Sequence, residues 1–485
     1  MLSRYRVHLL IGLLAFACAQ GWNRWNIDAM LHAQWAKNNV REGRTLTATD
    51  DASYLAVVDR MLGDRPDLEK DPFGNRPDLR APGYRLWYLI PRLVLGIPAS
   101  LSVLVLLQCA LYAFAAMLLW EVFLVHSIVA GARWLLILLF AIMPTFHGFL
   151  FHTITEGVTP ALSLIVLCSA LLAPRSRRWL WVGTIAWSLL MVTRPALMWV
   201  GLALLPSLWQ QQRSVVQVAA IALLAFVPTA LWWGNNMIKA SRYVGLHEVY
   251  RADEPGINRP VHGAFWELAK SWGAHGDAFH PVMENAFRAA LEDDLREHYA
   301  DAFVQLAPMG TLTNKEENGI RDAFTQWQRF NHEQLAPALA SAQHTIGYTT
   351  RDEQGIMSSL ETITDQWRSE HFFHHQVLVP YRVLKEMIAH SNLNLYLFQG
   401  ELRGTAWVET LRWISAIMHV LLFLCVLLAV FIRTPASLRW CAVGACAYIG
   451  YLAYVQRGVE ERYTLPVLFI AVACAAFVVP ARNRE

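Results

Sequence analysis

The chain has 485 residues, 55% of them hydrophobic and only 16% charged, with 20 tryptophans and a formal net charge of +3. So apolar a composition argues against a soluble globular protein of this length, and so small a net charge carries no signal for nucleic-acid binding. All seven cysteines sit inside apolar runs, which argues against a disulfide framework or a cysteine metal cluster.

In chain order, Arg4 and Arg6 precede an apolar run over 7–22. Such a start suits either a cleaved signal sequence, for which Ala17-Cys18-Ala19 offers small residues, or a retained first span; the spans that follow favour retention. A polar loop over 23–99 comes next, with a less apolar segment, 84–98, expected to lie along the membrane interface. Runs over 100–123, 132–148, 157–173, 214–232, 407–432, 440–455 and 463–480 are nearly free of charge, and several approach the roughly 20 residues that cross a bilayer. Two shorter runs, 179–193 and 196–209, are divided by Arg194-Pro195 and predict a tight hairpin, with one kinked helix as the alternative. Between 233 and 406 the chain is polar and rich in helix formers over 263–305 and 316–345. The expected fold is an all-α polytopic membrane protein of about ten transmembrane helices. Its parts would be a transmembrane module over 1–232, a mainly helical outer domain over 233–406 and C-terminal helices over 407–485.

Charge sets the predicted orientation. With the N-terminus cytoplasmic, Arg4, Arg6, Arg133, Arg175, Arg177, Arg178, Arg213, Arg433, Arg439, Arg482 and Arg484 all fall on the cytoplasmic side, as does the C-terminus. The loop 23–99 and the region 233–406 then face outward, in the periplasm of a bacterial inner membrane.

Chemistry-bearing residues gather on that outer side. Asp50-Asp51-Ala52-Ser53-Tyr54 places Asp50 and Tyr54 one helical turn apart, although acidic residues here equally suit a helix N-terminus. Glu156, in Thr155-Glu156, opens a span on the same side and offers a second carboxylate for general-base work. Arg80, Arg194, Lys239, Arg242, Arg457 and Arg462 supply cations; Arg80, Arg194 and Arg462 adjoin helix breaks and suit bidentate phosphate binding. His371, His374 and His375 lie close together, but no further ligand is identifiable, so no metal site is expected there.

The order of these pieces resembles the GT-C superfamily of integral-membrane glycosyltransferases, whose relatives include protein O-mannosyltransferases and the aminoarabinose transferases of lipid A. Asp50 and Tyr54 match the family's Asp and its aromatic residue four positions on, and Asp51 matches the acidic residue that often follows. Arg80-Ala81-Pro82-Gly83-Tyr84, Thr155-Glu156, Thr193-Arg194-Pro195 and Glu461-Arg462-Tyr463 match later family motifs, and the resemblance covers 1–250 and 400–485. It implies an inverting transfer of a sugar from a polyprenyl-phosphate donor to a hydroxyl of a lipid, glycan or protein acceptor. Asp50 would be the base, assisted by Glu156 and Asp51. Tyr54, Arg80, Tyr84, Arg194, Glu461, Arg462 and Tyr463 would bind substrate. No cofactor is required by the pattern, and Asp50-Asp51 is compatible with a divalent cation. A transporter or flippase of a lipid-linked sugar is the alternative, and an assembly subunit a third reading.

Overall fold

The computed structural model describes residues 2–32, 40–41, 45–46, 51–63, 80–240, 259–340, 349–390, 398, 403–458 and 461–478. Helix α1 (Leu2–His32) is followed by a short antiparallel ladder in which β1 (Val40–Arg41) pairs with β2 (Thr45–Leu46), Val40 opposite Leu46. Then come α2 (Asp51–Met61), α3 (Gly83–Arg92), α4 (Ile97–Val125), α5 (Ala130–Ile142), α6 (Thr159–Leu172), α7 (Arg177–Thr193), α8 (Leu205–Gln212) and α9 (Val215–Ala240). The region 259–390 holds α10 (Pro260–Trp272), α11 (Gly276–Leu291), α12 (His298–Val304), α13 (Asn314–Phe330), α14 (Ala336–Ala340), α15 (Arg351–Glu370) and α16 (Val379–Lys385). The chain closes with α17 (Ala406–Phe431), α18 (Ala436–Tyr451) and α19 (Leu465–Val478).

Among the described residues, Ile97–Val125, Val215–Ile238, Ala406–Phe431 and Ala436–Gln456 are long and apolar enough to cross a membrane. Ala130–Ile142, Thr159–Leu172 and Arg462–Val478 are shorter apolar helices. The longer helices expose many leucines, such as Leu223, Leu224 and Leu231 on α9 and Leu421 on α17. In water such a surface would be an aggregation liability; in hydrocarbon it costs nothing. The interior is packed instead by close approach of small groups, as expected where lipid removes the hydrophobic drive between helices. A Cβ on Gly183 of α7 would stand 3.0 Å from Ser169 Cβ and 3.7 Å from Val166 O of α6, so the bare glycine lets these two helices approach closely.

Three local outcomes differ from the hydropathy reading. The run 132–148 is helical only to Ile142, because Pro144 drives Met143 into an extended conformation (ψ 132°). Helix α6 begins only at Thr159, so residues 143–158 form an irregular, wholly buried connection. The segment after Arg194 does fold back on α7, with Trp187 Nε1 donating to Met198 O at 2.9 Å. Its returning limb, however, is a 3-10 helix (Pro195–Ala203) continued by α8.

Side-chain contacts define two ends of the helix bundle. At one, His126 Nε2 lies 3.3 Å from Leu171 O, Gln211 Nε2 donates to Ala173 O at 3.2 Å, and the Ser207 and Ser437 hydroxyls are 3.4 Å apart. Arg175, Arg213 and Arg433 lie in the connections gathered there, and Arg177, Arg178 and Arg439 in the first turns of the helices that follow them. The opposite end carries the start of α6, the end of α7 and the start of α19.

Residues 259–370 build a separate aromatic core around Phe265, Trp272, Phe279, Phe303, Phe324 and Trp367. Its helices are set by local chemistry. Thr313 with Glu316 and Thr350 with Glu353 form capping boxes that start α13 and α15. Glu353 also takes both arms of the buried Arg259 guanidinium, each at 2.5 Å.

Candidate functional site

The buried connection 143–158 delivers the central carboxylate. Irregular backbone at this depth is tolerated only where protein supplies its hydrogen bonds. Gln108 of α4 does so, Nε2 donating to Leu150 O at 2.7 Å and to His152 O at 3.3 Å. Tyr84 of α3 donates to Gln108 Oε1 at 2.9 Å and reaches His152 O at 3.5 Å. A Cβ on Gly157 would lie 2.0 Å from Gln108 Oε1, so the bare glycine is what lets this amide lie against the turn that carries Glu156.

Glu156 is 4% exposed and is held from three sides. Arg194 Nη1 donates to Oε1, Arg462 Nε stands 3.7 Å from the same oxygen, and Thr155 Oγ1 donates to Oε2 at 2.9 Å. Arg194 reaches it because Pro195 disfavours α geometry in the residue before it, and Arg194 leaves α7 in an extended conformation (φ −148°, ψ 92°). Arg462 and Tyr463 lie on the 3-10 turn Glu461–Thr464 at the head of α19. The Tyr463 ring centroid is 4.7 Å from the Arg194 guanidinium and 5.8 Å from that of Arg462.

Burial by itself would raise the Glu156 carboxyl, but Arg194 and Arg462 outweigh it and bring it down to about 2. A carboxylate so stabilised is a poor proton acceptor near neutral pH and a strong anchor for two guanidinium groups. Its electrostatic role is therefore to hold Arg194 and Arg462 together, leaving one net positive charge among the three. Next to it, burial and then Arg462 push the His152 imidazole down to about 3, so that ring stays neutral.

A second group adjoins the first. Arg80 Nη1 donates to the Tyr54 hydroxyl at 3.0 Å, and its guanidinium lies 4.9 Å from that ring. Tyr54 packs edge-on against Tyr84, centroids 5.7 Å apart. The turn Arg80–Tyr84 is seated directly on the helix break that carries Arg194: a Cβ on Gly83 would stand 2.4 Å from Thr193 Oγ1 and 2.6 Å from Thr193 N. Backbone cannot yield there, so Gly83→Ala is expected to cost about 1–3 kcal/mol by overpacking. That outweighs the roughly 0.5–1 kcal/mol of helix propensity alanine would add. Detergent-denaturation curves of the two chains check this, and a variant as stable as the parent would refute the close contact.

Helix α2, which bears Tyr54, is fastened by a buried pair that hydropathy does not reveal. Asp59 Oδ1 accepts from Arg92 Nε at 2.9 Å and from Tyr88 OH at 3.0 Å. The Arg92 side chain is 5% exposed and that of Asp59 2%.

Of the residues expected to act, the fold thus joins Tyr54, Arg80, Tyr84, Glu156, Arg194, Arg462 and Tyr463 in one neighbourhood. Asp51 is the first residue of α2 and Glu461 the first of its 3-10 turn. Asp50 lies outside the described residues, and with it the carboxylate pair that a divalent cation would need. Among the described residues no three His, Cys, Asp or Glu side chains converge on one point. His371, His374 and His375 turn to three different partners: Thr311 O, Trp272 O and Arg457. Sequence reasoning missed Gln108, Asp59, Tyr88 and Arg92. A glutamine in the middle of a run, 100–123, whose one charged residue is Glu121 near its end was the signal available for the first of them.

The chain matches no protein-family model, no curated protein and no solved structure.

Proposed function

We propose that this protein is an integral-membrane glycosyltransferase that moves a sugar from a polyprenyl-phosphate donor to an acceptor hydroxyl, with inversion, at the outer face of a bacterial inner membrane. The observation that carries this reading is the pair Arg194 and Arg462, drawn together on Glu156 beside Tyr463 and next to the Arg80–Tyr54–Tyr84 group. Two guanidinium groups fixed by one buried carboxylate retain donors and net positive charge for a phosphate. Their concentration at the end of the bundle opposite Arg175, Arg177, Arg178, Arg213, Arg433 and Arg439 supports a site on the outer side, since positive loops stay in the cytoplasm.

In this reading about ten spans carry the site, with α1, α4, α5, α6, α7, its returning limb, α9, α17, α18 and α19 in the membrane and 259–390 outside. The acceptor oxygen attacks the anomeric carbon as Asp50 takes its proton. The bond from that carbon to the phosphate oxygen breaks, and the polyprenyl phosphate leaves against Arg194 and Arg462, whose positive charge stabilises it. Glu156 positions the two arginines rather than accepting the proton, and Arg80, Tyr54 and Tyr84 line the approach of the donor.

The test is release of polyprenyl phosphate by the full chain in lipid vesicles supplied with polyprenyl-phosphate sugars. Asp50→Asn is expected to lower the rate by about a hundredfold or more, the range of a lost general base. An unaffected rate removes Asp50 as the base. No release with any donor, accompanied by sugar-lipid crossing the bilayer, would replace the transferase by a transporter.

A further inference from the structure

The triplet of histidines sits in a segment that the site does not use. Residues 372–390 form a continuous helical stretch with π turns over His374–Leu378 and Glu386–His390. One face is buried: Val383 and Met387 join the core of the helix bundle. The exposed side is apolar over 372–381, with Phe372 and Phe373 each 64% exposed, Tyr381 61% exposed, and Val377 between them, and turns charged beyond it at Arg382, Lys385 and Glu386. Phe373, Val377 and Tyr381 follow at steps of four, which aligns them on one side of the helix. Elsewhere in 259–390 the large hydrophobic side chains are almost all enclosed in the aromatic core; Leu295 and Met309 are the other exposed ones among the described residues.

The stripe is anchored at a defined level of the bundle. Helix α16 packs against the π turn Leu452–Gln456 that ends the membrane-length helix Ala436–Gln456. Beside that contact, Arg457 Nη1 donates to His375 O at 2.9 Å, and its guanidinium also meets the His375 ring. Burial and then Arg457 hold the His375 imidazole down at about 4, so it remains a neutral acceptor. On its outward side the turn of α18 itself exposes Tyr451, Tyr454 and Val455. The stripe and this aromatic helix end therefore lie beside one another at the end of the bundle that holds Glu156.

We infer that residues 372–381 are a membrane-seated helix whose Phe372, Phe373, Val377 and Tyr381 enter the lipid interface of the site-side leaflet, with His371, His374 and His375 facing the protein. Amphipathic helices with an aromatic face settle at this depth, and aromatic residues gather at the ends of spans. The helix fastens the outer helical region to the bilayer, and through His375 it holds Arg457, five residues before Arg462. The inference rests on the membrane reading above but not on the identity of the reaction.

The test uses the full chain at one copy per lipid nanodisc, with an environment-sensitive fluorophore on Phe373→Cys, Met309→Cys or Leu424→Cys, and the identically treated parent chain as background for its native cysteines. Lipids carrying a nitroxide near the headgroup end of the acyl chain serve as quencher. The Phe373 label is expected to be blue-shifted and to lose fluorescence to the nitroxide lipids as the Leu424 label on α17 does, while the Met309 label keeps a water-like spectrum. A Phe373 label that behaves like the Met309 label overturns the inference. So does one that is blue-shifted yet unquenched, since protein rather than lipid would then cover it. Failure of the Leu424 label to be quenched would instead overturn the membrane reading itself.

Discussion

Glu156→Gln is expected to destabilise the chain by about 3–5 kcal/mol, the cost of leaving a buried charge without its partner. Arg194 and Arg462 would then face each other across a neutral amide, with side chains only 17% and 14% exposed. Denaturation in mixed detergent, followed by tryptophan fluorescence, measures the loss. Combining the change with Arg194→Gln should recover part of it, because removing both charges of a buried pair costs far less than removing one. Strictly additive losses would show that the two groups are not coupled. The pH dependence has a definite sign. The folded-state carboxyl lies at about 2, below its ordinary 4.5. Its contribution is therefore complete above pH 4.5 and is lost as pH falls towards 2, so parent and Glu156→Gln stabilities should converge over that interval. Parallel curves there would contradict the ion pair.

Asp59→Ala should have an effect of similar size for a different reason. Asp59 joins α2 to α3 through Arg92 and Tyr88, and its removal leaves the buried Arg92 guanidinium without its carboxylate, its Nη1 still donating to Leu95 O at 2.8 Å. About 3–5 kcal/mol of local stability is at stake. Because α2 holds Tyr54 and directly follows Asp50, the predicted result is faster amide exchange across Asp51–Met61 together with a fall in transfer rate. Replacing both partners by leucine is the discriminating control. The apolar pair should restore protection of α2, since well-packed hydrophobic groups commonly substitute for a buried ion pair without loss. Unchanged exchange in Asp59→Ala would mean that α2 is held by Leu55 and Val58 alone.

How much of this could be read in advance depended on the range of the interactions. Hydropathy is local, so the apolar runs and the segregation of arginines were plain from the chain, and both reappear as the long helices and the basic connections. The turn at Arg194-Pro195 was equally visible, because proline acts on its immediate neighbour. Helix ends were less so. The runs 132–148 and 157–173 carry no interruption in hydropathy over most of their length, yet Pro144 ends α5 at Ile142 and α6 starts late, at Thr159. Only burial by α4 and α3 makes the intervening irregular segment affordable, since Gln108 and Tyr84 satisfy its carbonyls.

The sequence by itself determined the class of structure, the apolar runs and which short motifs carry arginine, tyrosine and carboxylate. Tertiary structure alone decided their partnerships: Glu156 with Arg194, 38 residues away, and with Arg462 near the far end of the chain, and Asp59 with Arg92. It also set two guanidinium groups against Glu156, which hold its carboxyl low, because a carboxylate's basicity is set by the charges that folding places around it. Such pairings join turns and helix ends that folding brings together from distant parts of the chain, and no periodicity along the chain encodes them.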